Sequence, residues 1–314
     1  MPARPSNRSR KAPRRAAPSQ PGRALKSPAV LICLLLVTFF AVWYVLWNGV
    51  GAWQGAGADV LASSEYWVTA AKVRITPPPE WVRRDLRGEV FRDAALDEPL
   101  PLLDARLVDR IAVAFSRHPW VEEVRRVIKR YPACVEVELV YRRPVCMVEL
   151  ATGRLLPVDA HGVLLPEEDF SPVEATRYPR LTRVGSEPVG PPGSVWGDVR
   201  VAGGAAIAAV LHASWLELGL ERIVPAESSP GAGLEELVFE IFTRGGTRIL
   251  WGHTAGVAIP GELSAEEKLA LLKSYHADHG TLDGPGGPQI LDLEHLRVPA
   301  AALRPVGGDP VATR

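Results

Sequence analysis

The sequence predicts an α+β protein in which a single transmembrane helix precedes two domains of mixed helices and strands. Three observations indicate this: residues 1–27 are basic and rich in proline, an uncharged apolar run follows, and helix-like and strand-like patterns alternate from residue 64 onward. A chain of 314 residues accommodates about two such domains. The predicted segments are a transmembrane helix at residues 28–48, domains at residues 64–150 and 151–300, and a flexible tail at residues 301–314.

Charge is distributed unevenly along the chain. Residues 1–27 contain eight basic residues and no acidic one, and residues 28–58 contain no charged residue. The formal net charge of +0 therefore describes neither part of the chain. From Asp59 onward the chain is net acidic, because it contains all 36 acidic residues and 28 of the 36 basic ones. The basic, proline-broken start predicts a disordered cytoplasmic tail, which an anionic membrane surface attracts without any folded site.

The apolar run has the length of a membrane span. Ala29–Trp47 reads AVLICLLLVTFFAVWYVLW, and as a helix these 19 residues extend about 28 Å, close to the thickness of a bilayer core. Trp43, Tyr44 and Trp47 cluster at its far end, which is typical of a membrane interface. The positive-inside rule predicts a cytoplasmic N-terminus in the inner membrane and a C-terminal region outside the cytoplasm.

A cleaved signal peptide is the alternative interpretation of this run. Ala56-Gly57-Ala58 has the small-residue pattern of a cleavage site. The apolar run is longer than the 7 to 15 residues of a typical signal-peptide core, and this favours an uncleaved anchor.

Hydrophobic periodicity predicts the order β-α-α-β-β in the first domain. Asp104 is the predicted cap of the second helix, and Pro119 is the predicted stop. The predicted elements are a strand at Trp67–Ile75, helices at Glu80–Asp93 and between Asp104 and Pro119, and strands at Val121–Arg130 and Val135–Leu150. If the last strand is continuous, Cys134 and Cys146 lie about 40 Å apart and are separate thiols, unless the chain doubles back near Pro144.

Several short strings in this region match a known family. They are His118-Pro119-Trp120-Val121, Val124-Arg125-Arg126, Tyr131-Pro132, Arg142-Arg143-Pro144-Val145, Leu155, Val158-Asp159 and Gly162. With them the chain resembles the FtsQ/DivIB family of cell-division proteins. The resemblance implies a POTRA domain behind one membrane helix, then a β-rich domain, in a non-enzymatic scaffold that recruits other membrane proteins to the septum.

The second domain has a hairpin, a capped helix and a last strand. Glu236–Phe242 and Arg248–Trp251 flank a glycine-containing turn, and a further helix is predicted at Ala205–Leu218. Ser264 and Glu267 have the spacing of a capping box that opens a helix. Ile290–Leu293 is the predicted terminal strand.

The resemblance also implies partners of the FtsB and FtsL type at the C-terminal edge of the second domain. An edge strand has unpaired N–H and C=O groups, so the addition of a partner strand is the mechanism we expect. The predicted partner-binding residues are Phe239, Trp251, Ile290, Asp292, Leu293, Leu296 and Val298.

A cluster of basic residues marks the last two strands of the first domain. Its members are Arg125, Arg126, Lys129, Arg130, Arg142 and Arg143. Three interpretations stay open: a solvated sheet face, contact with phospholipid headgroups, and contact with an acidic partner. Nucleic acid is not expected outside the cytoplasm.

Catalysis and metal binding have weak sequence support. His276 and His279 are three residues apart near a helix end, a spacing that suits a metal only if further ligands converge. A hydrolase built from Asp159, His161 and His253 with Ser171 or Ser194 is an alternative function, but no nucleophile-elbow, P-loop or dinucleotide motif accompanies them. We expect no cofactor, and the other alternative is a periplasmic POTRA adaptor outside cell division.

Overall fold

A computed structural model of the chain describes residues 28–226, 233–257, 259–284 and 286–295, with the side chains of residues 48–62 excepted. The predicted tails at residues 1–27 and 301–314 lie outside the described residues. The chain is a mixed α+β protein with an N-terminal apolar helix and a sheet-rich body. It divides into two compact units, one ending at Ser63 and one beginning at Ser64.

Helix α1 spans Pro28–Ala62 and contains the predicted apolar run. Its segment Pro28–Trp47 has a mean hydropathy of 2.7, and within the described part of the chain it is the one helix long and apolar enough to cross a membrane. A membrane anchor and an N-terminal signal sequence share these properties. The helix continues beyond the predicted end at residue 48, and no proline interrupts residues 29–62.

The second unit begins with a three-stranded sheet covered by two helices. Its elements are β1 (Trp67–Val68), β2 (Val73–Ile75), α2 (Leu86–Asp93), β3 (Leu100–Pro101), α3 (Leu107–Ser116), β4 (Val121–Arg130) and β5 (Cys134–Tyr141). The strand order is β2-β5-β4, with β2 parallel and β4 antiparallel to β5. Strands β1 and β3 form a separate antiparallel pair. This topology sets β4 and the short β2 at the two edges of the sheet.

Period-two alternation places the apolar side chains of β5 on one face of the three-stranded sheet, where they form one side of its hydrophobic core. Val135, Val137 and Leu139 are buried, while the glutamates between them lie on the opposite face. Helix α3 covers the apolar face with Leu107, Ile111, Ala114 and Phe115, its four buried residues. The predicted half-buried strand is confirmed.

Two predicted boundaries at the start of this unit are wrong. The predicted strand Trp67–Ile75 is two short strands, because a 3-10 turn at Ala70–Lys72 interrupts it. The helix predicted from Glu80 begins at Leu86, since the backbone before it is used in tight turns such as Val82 N–H to Pro79 carbonyl, 3.0 Å.

Asp104 does not cap α3 as predicted. It stabilises the turn that precedes this helix. Its carboxylate accepts a hydrogen bond from the backbone N–H of Arg106 (2.9 Å), and its carbonyl accepts one from Leu107 (3.2 Å). Helix α3 ends at Ser116, three residues before the predicted stop at Pro119.

The predicted strand Val135–Leu150 is also two strands. The chain turns after Tyr141, and β6 (Pro144–Glu149) joins a different sheet. The predicted domain boundary after residue 150 therefore assigns β6 to the wrong sheet. Cys134 and Cys146 are free thiols, each in its own sheet.

A seven-stranded sheet forms the rest of the unit, in the order β12-β11-β10-β9-β8-β6-β7. Its further strands are β7 (Leu155–Asp159), β8 (Arg180–Leu181), β9 (Leu220–Pro225), β10 (Val238–Thr243), β11 (Arg248–His253) and β12 (Ile290–Asp292). Its helices are α4 (Pro172–Ala175), α5 (Val199–Leu211) and α6 (Ala265–His279). The predicted β10–β11 hairpin is confirmed.

Helix α5 packs closely on the seven-stranded sheet because two of its residues are glycines. A Cβ atom on Gly204 would lie 2.5 Å from Leu181, and one on Gly203 would lie 2.7 Å from the ring of Phe239. The helix begins at Val199 instead of the predicted Ala205, since the Asp198 carboxylate accepts a hydrogen bond from the Arg200 N–H (2.8 Å) and caps it.

Candidate partner-binding edge

Strand β12 lies at one edge of the seven-stranded sheet, as predicted for a terminal edge strand. It runs parallel to β11, and Ile290, Leu291 and Asp292 pair with Arg248, Ile249 and Leu250. No described strand covers its other side. Within the described part of the chain this side of β12 is therefore an open edge, of the kind that accepts a strand from another chain.

The direction of the backbone groups follows from the hydrogen bonds that flank β12. Arg248 donates its N–H to the Gln289 carbonyl (2.9 Å), and Leu293 donates its N–H to the Leu250 carbonyl (2.9 Å). Because successive residues of a strand direct their backbone groups to opposite sides, those of Ile290 and Asp292 point away from β11. These two residues carry the open edge.

The side chain of Asp292 ends the strand. Its carboxylate accepts hydrogen bonds from the backbone N–H groups of Glu294 and His295, both 3.0 Å, and lies 2.9 Å from the His295 ring. This turn limits regular pairing on the described edge to a short segment. Leu296 and Val298 lie outside the described residues.

Three predicted partner-binding side chains are buried in the core. Phe239 is 1% exposed, and Trp251 and Leu293 are fully buried. Phe239 packs against helix α5, and the ring of Trp251 lies 5.3 Å from the ammonium of Lys268. These three side chains lie in the hydrophobic core, so a partner strand at the edge does not contact them. The alternation of apolar and polar residues predicts the strands, but it does not indicate which face of the sheet each side chain occupies.

The basic cluster separates into two groups. Arg125, Arg126 and Arg130 are exposed on β4, and each lies within 4 Å of a glutamate: Arg125–Glu123 (3.6 Å), Arg126–Glu138 (3.9 Å) and Arg130–Glu136 (3.1 Å). Lys129 donates to the carbonyl of Asp104. The face of β4 and β5 is thus a mixed array of both charges.

Arg142 and Arg143 do not belong to that face. The Arg142 guanidinium donates to the Asp159 carboxylate (2.6 Å), and the two side chains are 17% and 4% exposed. Arg143 is exposed and borders a small cavity with His161 and His212. The prediction of one continuous cluster of six is wrong, because the chain turns between Tyr141 and Pro144.

The predicted hydrolase residues have structural partners. Asp159 also accepts hydrogen bonds from the N–H groups of His161 and Val163, both 2.9 Å, and so shapes the turn after β7. Ser171 caps α4, and the Ser194 carbonyl accepts a hydrogen bond from Leu164. These contacts bring no described serine to Asp159.

His253 belongs to a different polar cluster. Its ring lies 2.6 Å from the Glu262 carboxylate, which also accepts from the buried Lys268. Lys268 donates in addition to the Trp251 carbonyl (2.6 Å). Burial raises the pKa of Glu262, but hydrogen bonds from Lys268 and from the His253 backbone outweigh it and hold that pKa below its usual range. The cluster fastens helix α6 to β11.

The two histidines near the end of α6 share no described third ligand. The ring of His279 stacks on Tyr275 at 4.1 Å, and its Nδ1 lies 2.9 Å from the Tyr275 carbonyl. Among the described residues no group of three potential metal ligands converges.

A groove of about 360 Å³ is a feature that sequence reasoning missed. Trp81, Phe170, Tyr178 and Trp215 line it, and Phe170 meets Tyr178 edge-on at 5.7 Å. Trp81 is fixed by its indole N–H, which donates to the Arg142 carbonyl (3.0 Å). Trp81 and Trp215 lie far in the chain from Phe170 and Tyr178, so no short spacing in the sequence links the four residues.

No family model matches the sequence, and a search of curated proteins finds no match either.

Proposed function

We propose that this protein is a bitopic cell-division scaffold of the FtsQ/DivIB type, which recruits or links other division membrane proteins at the septum. The observation that supports it most is the order of elements along the chain. A helix apolar enough to cross a membrane precedes a β-α-α-β-β unit, and a larger sheet follows whose C-terminal strand is an edge. This is the order that the sequence resemblance implies, with the three-stranded unit as the POTRA domain.

The basic N-terminal segment supports the proposed topology. Eight basic residues precede α1 and no acidic residue accompanies them, so the N-terminus is cytoplasmic under the positive-inside rule. The sheet-rich unit then lies on the extracytoplasmic side, in the periplasm, and α1 is the anchor in the inner membrane.

The proposed chemistry is binding. Ile290 and Asp292 direct N–H and C=O groups to the open side of β12, so a strand from a partner of the FtsB or FtsL type adds there by main-chain hydrogen bonds. Ile290 is half-buried and offers apolar contact on one face of the added strand. Partner choice then rests on the side chains around the edge.

The first test images a fluorescent fusion to the N-terminus in dividing cells while the native copy is depleted. We expect a mid-cell band that requires the sheet-rich unit, and filamentous cells on depletion. A uniform envelope signal with normal division would reject the division role and favour a POTRA adaptor of another process.

The second test removes the edge. A chain truncated before Gln289 should lose partner binding, because β12 is gone. As a control, Ser274→Ala on the exposed part of α6 should bind normally. Undiminished binding by the truncated chain would eliminate β12 as the docking strand.

A further inference from the structure

Three chain segments meet at one end of the three-stranded sheet, where the chain enters from α1. They are residues 64–72, 102–106 and 129–134, and we call this surface the aromatic end. Leu102 donates its N–H to the Tyr66 carbonyl (2.7 Å), and Ala133 donates its N–H to the Glu65 carbonyl (2.7 Å). Lys129 bonds the carbonyl of Asp104. These bonds hold the three segments side by side at this end of the sheet.

Large apolar and aromatic side chains are exposed on the aromatic end. Leu103 is 63% exposed and Tyr131 is 64% exposed, and the rings of Tyr131 and Tyr66 lie 5.7 Å apart. A surface that exposes leucine and tyrosine side chains suits the interfacial region of a bilayer, where an amphipathic ring has an apolar body and a wet edge.

The charge of the aromatic end suits an anionic surface. The three segments contain four basic residues, Lys72, Arg106, Lys129 and Arg130, and two acidic ones, Glu65 and Asp104. Both acids are engaged within the protein: Glu65 accepts from the Tyr131 hydroxyl, and Asp104 accepts from the Arg106 N–H (2.9 Å). Glu136 borders this surface as well, because its carboxylate lies 3.1 Å from Arg130. With Glu136 counted, four bases stand against three acids, and the one base in excess favours contact with an anionic bilayer.

The length of the chain between the apolar segment of α1 and this surface limits the distance of the surface from a bilayer. Residues 48–63 separate Trp47, the end of the apolar segment, from Ser64, and residues 48–62 of them continue α1. Even if they were fully extended, these residues would reach no more than about 55 Å. A surface tethered this closely has a high effective concentration at the membrane, so weak contacts suffice.

We propose that the aromatic end docks reversibly on the anionic phospholipid surface of the membrane that α1 crosses. Leu103 and Tyr131 enter the interfacial region, and the four bases lie against the headgroups. The inference rests on the proposed function for its membrane topology alone, and it concerns a surface separate from β12.

The three native cysteines provide the test. Cys134 is half-buried in the aromatic end, Cys146 is buried in the core of the larger sheet, and Cys33 lies in the apolar segment of α1. The full chain is placed in nanodiscs of phosphatidylglycerol or of phosphatidylcholine and exposed to an uncharged polyethylene-glycol maleimide. Peptide mass spectrometry then gives the labelling rate of each cysteine.

We expect Cys134 to react about fivefold more slowly in phosphatidylglycerol than in phosphatidylcholine, since the one base in excess favours the docked state by about that factor. Leu103→Glu should abolish this difference. The matched control is Leu216→Glu, which changes a leucine that is 56% exposed outside these segments and should preserve it. Cys146 should stay unreactive in every variant that folds.

Two results would overturn the inference and are distinguishable. A Cys134 rate that ignores lipid charge while Cys33 is protected would reject the docking and leave the proposed topology intact. A Cys33 that reacts in nanodiscs would show that α1 is not inserted, and the topology and the docking would fail together.

Discussion

Two groups of arginines look alike in the sequence but occupy opposite environments. At the junction between the two sheets, Arg142 and Asp159 are 17% and 4% exposed and lie 2.6 Å apart. On the outer face of β4, Arg126 and Glu138 are 66% and 53% exposed and lie 3.9 Å apart. The junction pair fixes a turn, whereas the outer pair is solvated. Arginine–carboxylate pairs of the same kind therefore contribute differently to stability, because the free energy of an ion pair depends on how deeply its charges are buried.

The largest effect we expect is from Arg142→Ala. It leaves the Asp159 carboxylate buried without its cation, although two backbone N–H groups remain. Breaking one partner of a buried pair costs about 3 to 5 kcal/mol in free energy of unfolding. Urea unfolding followed by tryptophan fluorescence measures it.

The matched control for that variant is Arg154→Ala. The Arg154–Glu167 distance is also 2.6 Å, but the side chains are 60% and 44% exposed. Its loss should cost less than about 1 kcal/mol. Equal losses in the two variants would show that burial does not separate the regions.

Lys268→Met should have the next largest effect. Lys268 is 2% exposed and bonds both Glu262 and the Trp251 carbonyl. Methionine keeps the apolar stem but leaves Glu262 without its ammonium partner, so we expect a loss of about 2 to 4 kcal/mol in free energy of unfolding. Adding Glu262→Gln should recover part of this loss. A double variant as unstable as the sum of the two single ones would show that the two residues are not coupled.

Ser264→Ala should cost about 1 kcal/mol in free energy of unfolding. The Ser264 and Glu267 side chains form the two hydrogen bonds of the predicted capping box at the start of α6. The control is Ser274→Ala, which changes an exposed serine inside the same helix and should be neutral or slightly stabilising. Thermal unfolding of both variants makes the comparison, and a larger loss at position 274 would contradict the capping role.

Acid should weaken the Glu262 cluster in a defined direction. Because its pKa is lowered in the folded state, Glu262 contributes stability that is present above its ordinary pKa of about 4.3 and is lost as the pH falls through the lowered value. We expect the stability difference between the native chain and Glu262→Gln to shrink over that range, by no more than about 1 kcal/mol. A difference that grows on acidification would contradict the sign.

The sequence predicts local features of the fold better than it predicts the site. Alternation along β5 and the capping box at Ser264 are short-range signals, and both are confirmed. The sequence marks Pro144 as a point where the chain could double back, but it does not show that β6 joins a second sheet. The Asp159 carboxylate that distinguishes Arg142 from the arginines of β4 is brought close only by the fold. Trp251 is predicted as a partner-binding residue but is fully buried, because the period of two in a strand defines two faces without indicating which face helix α6 covers.

The smallest effect we expect lies on the outer face of β4. A double-mutant cycle with Arg126→Ala and Glu138→Ala should give a coupling energy of about 0.2 to 0.5 kcal/mol, because both side chains are largely solvated. In 1 M salt the Debye length is about 3 Å, shorter than the 3.9 Å between the charged atoms, and the coupling should disappear. A coupling above about 1 kcal/mol that resists salt would mean that this face is shielded from water, as the junction is. The two groups of arginines would then differ in their position in the fold and not in their burial.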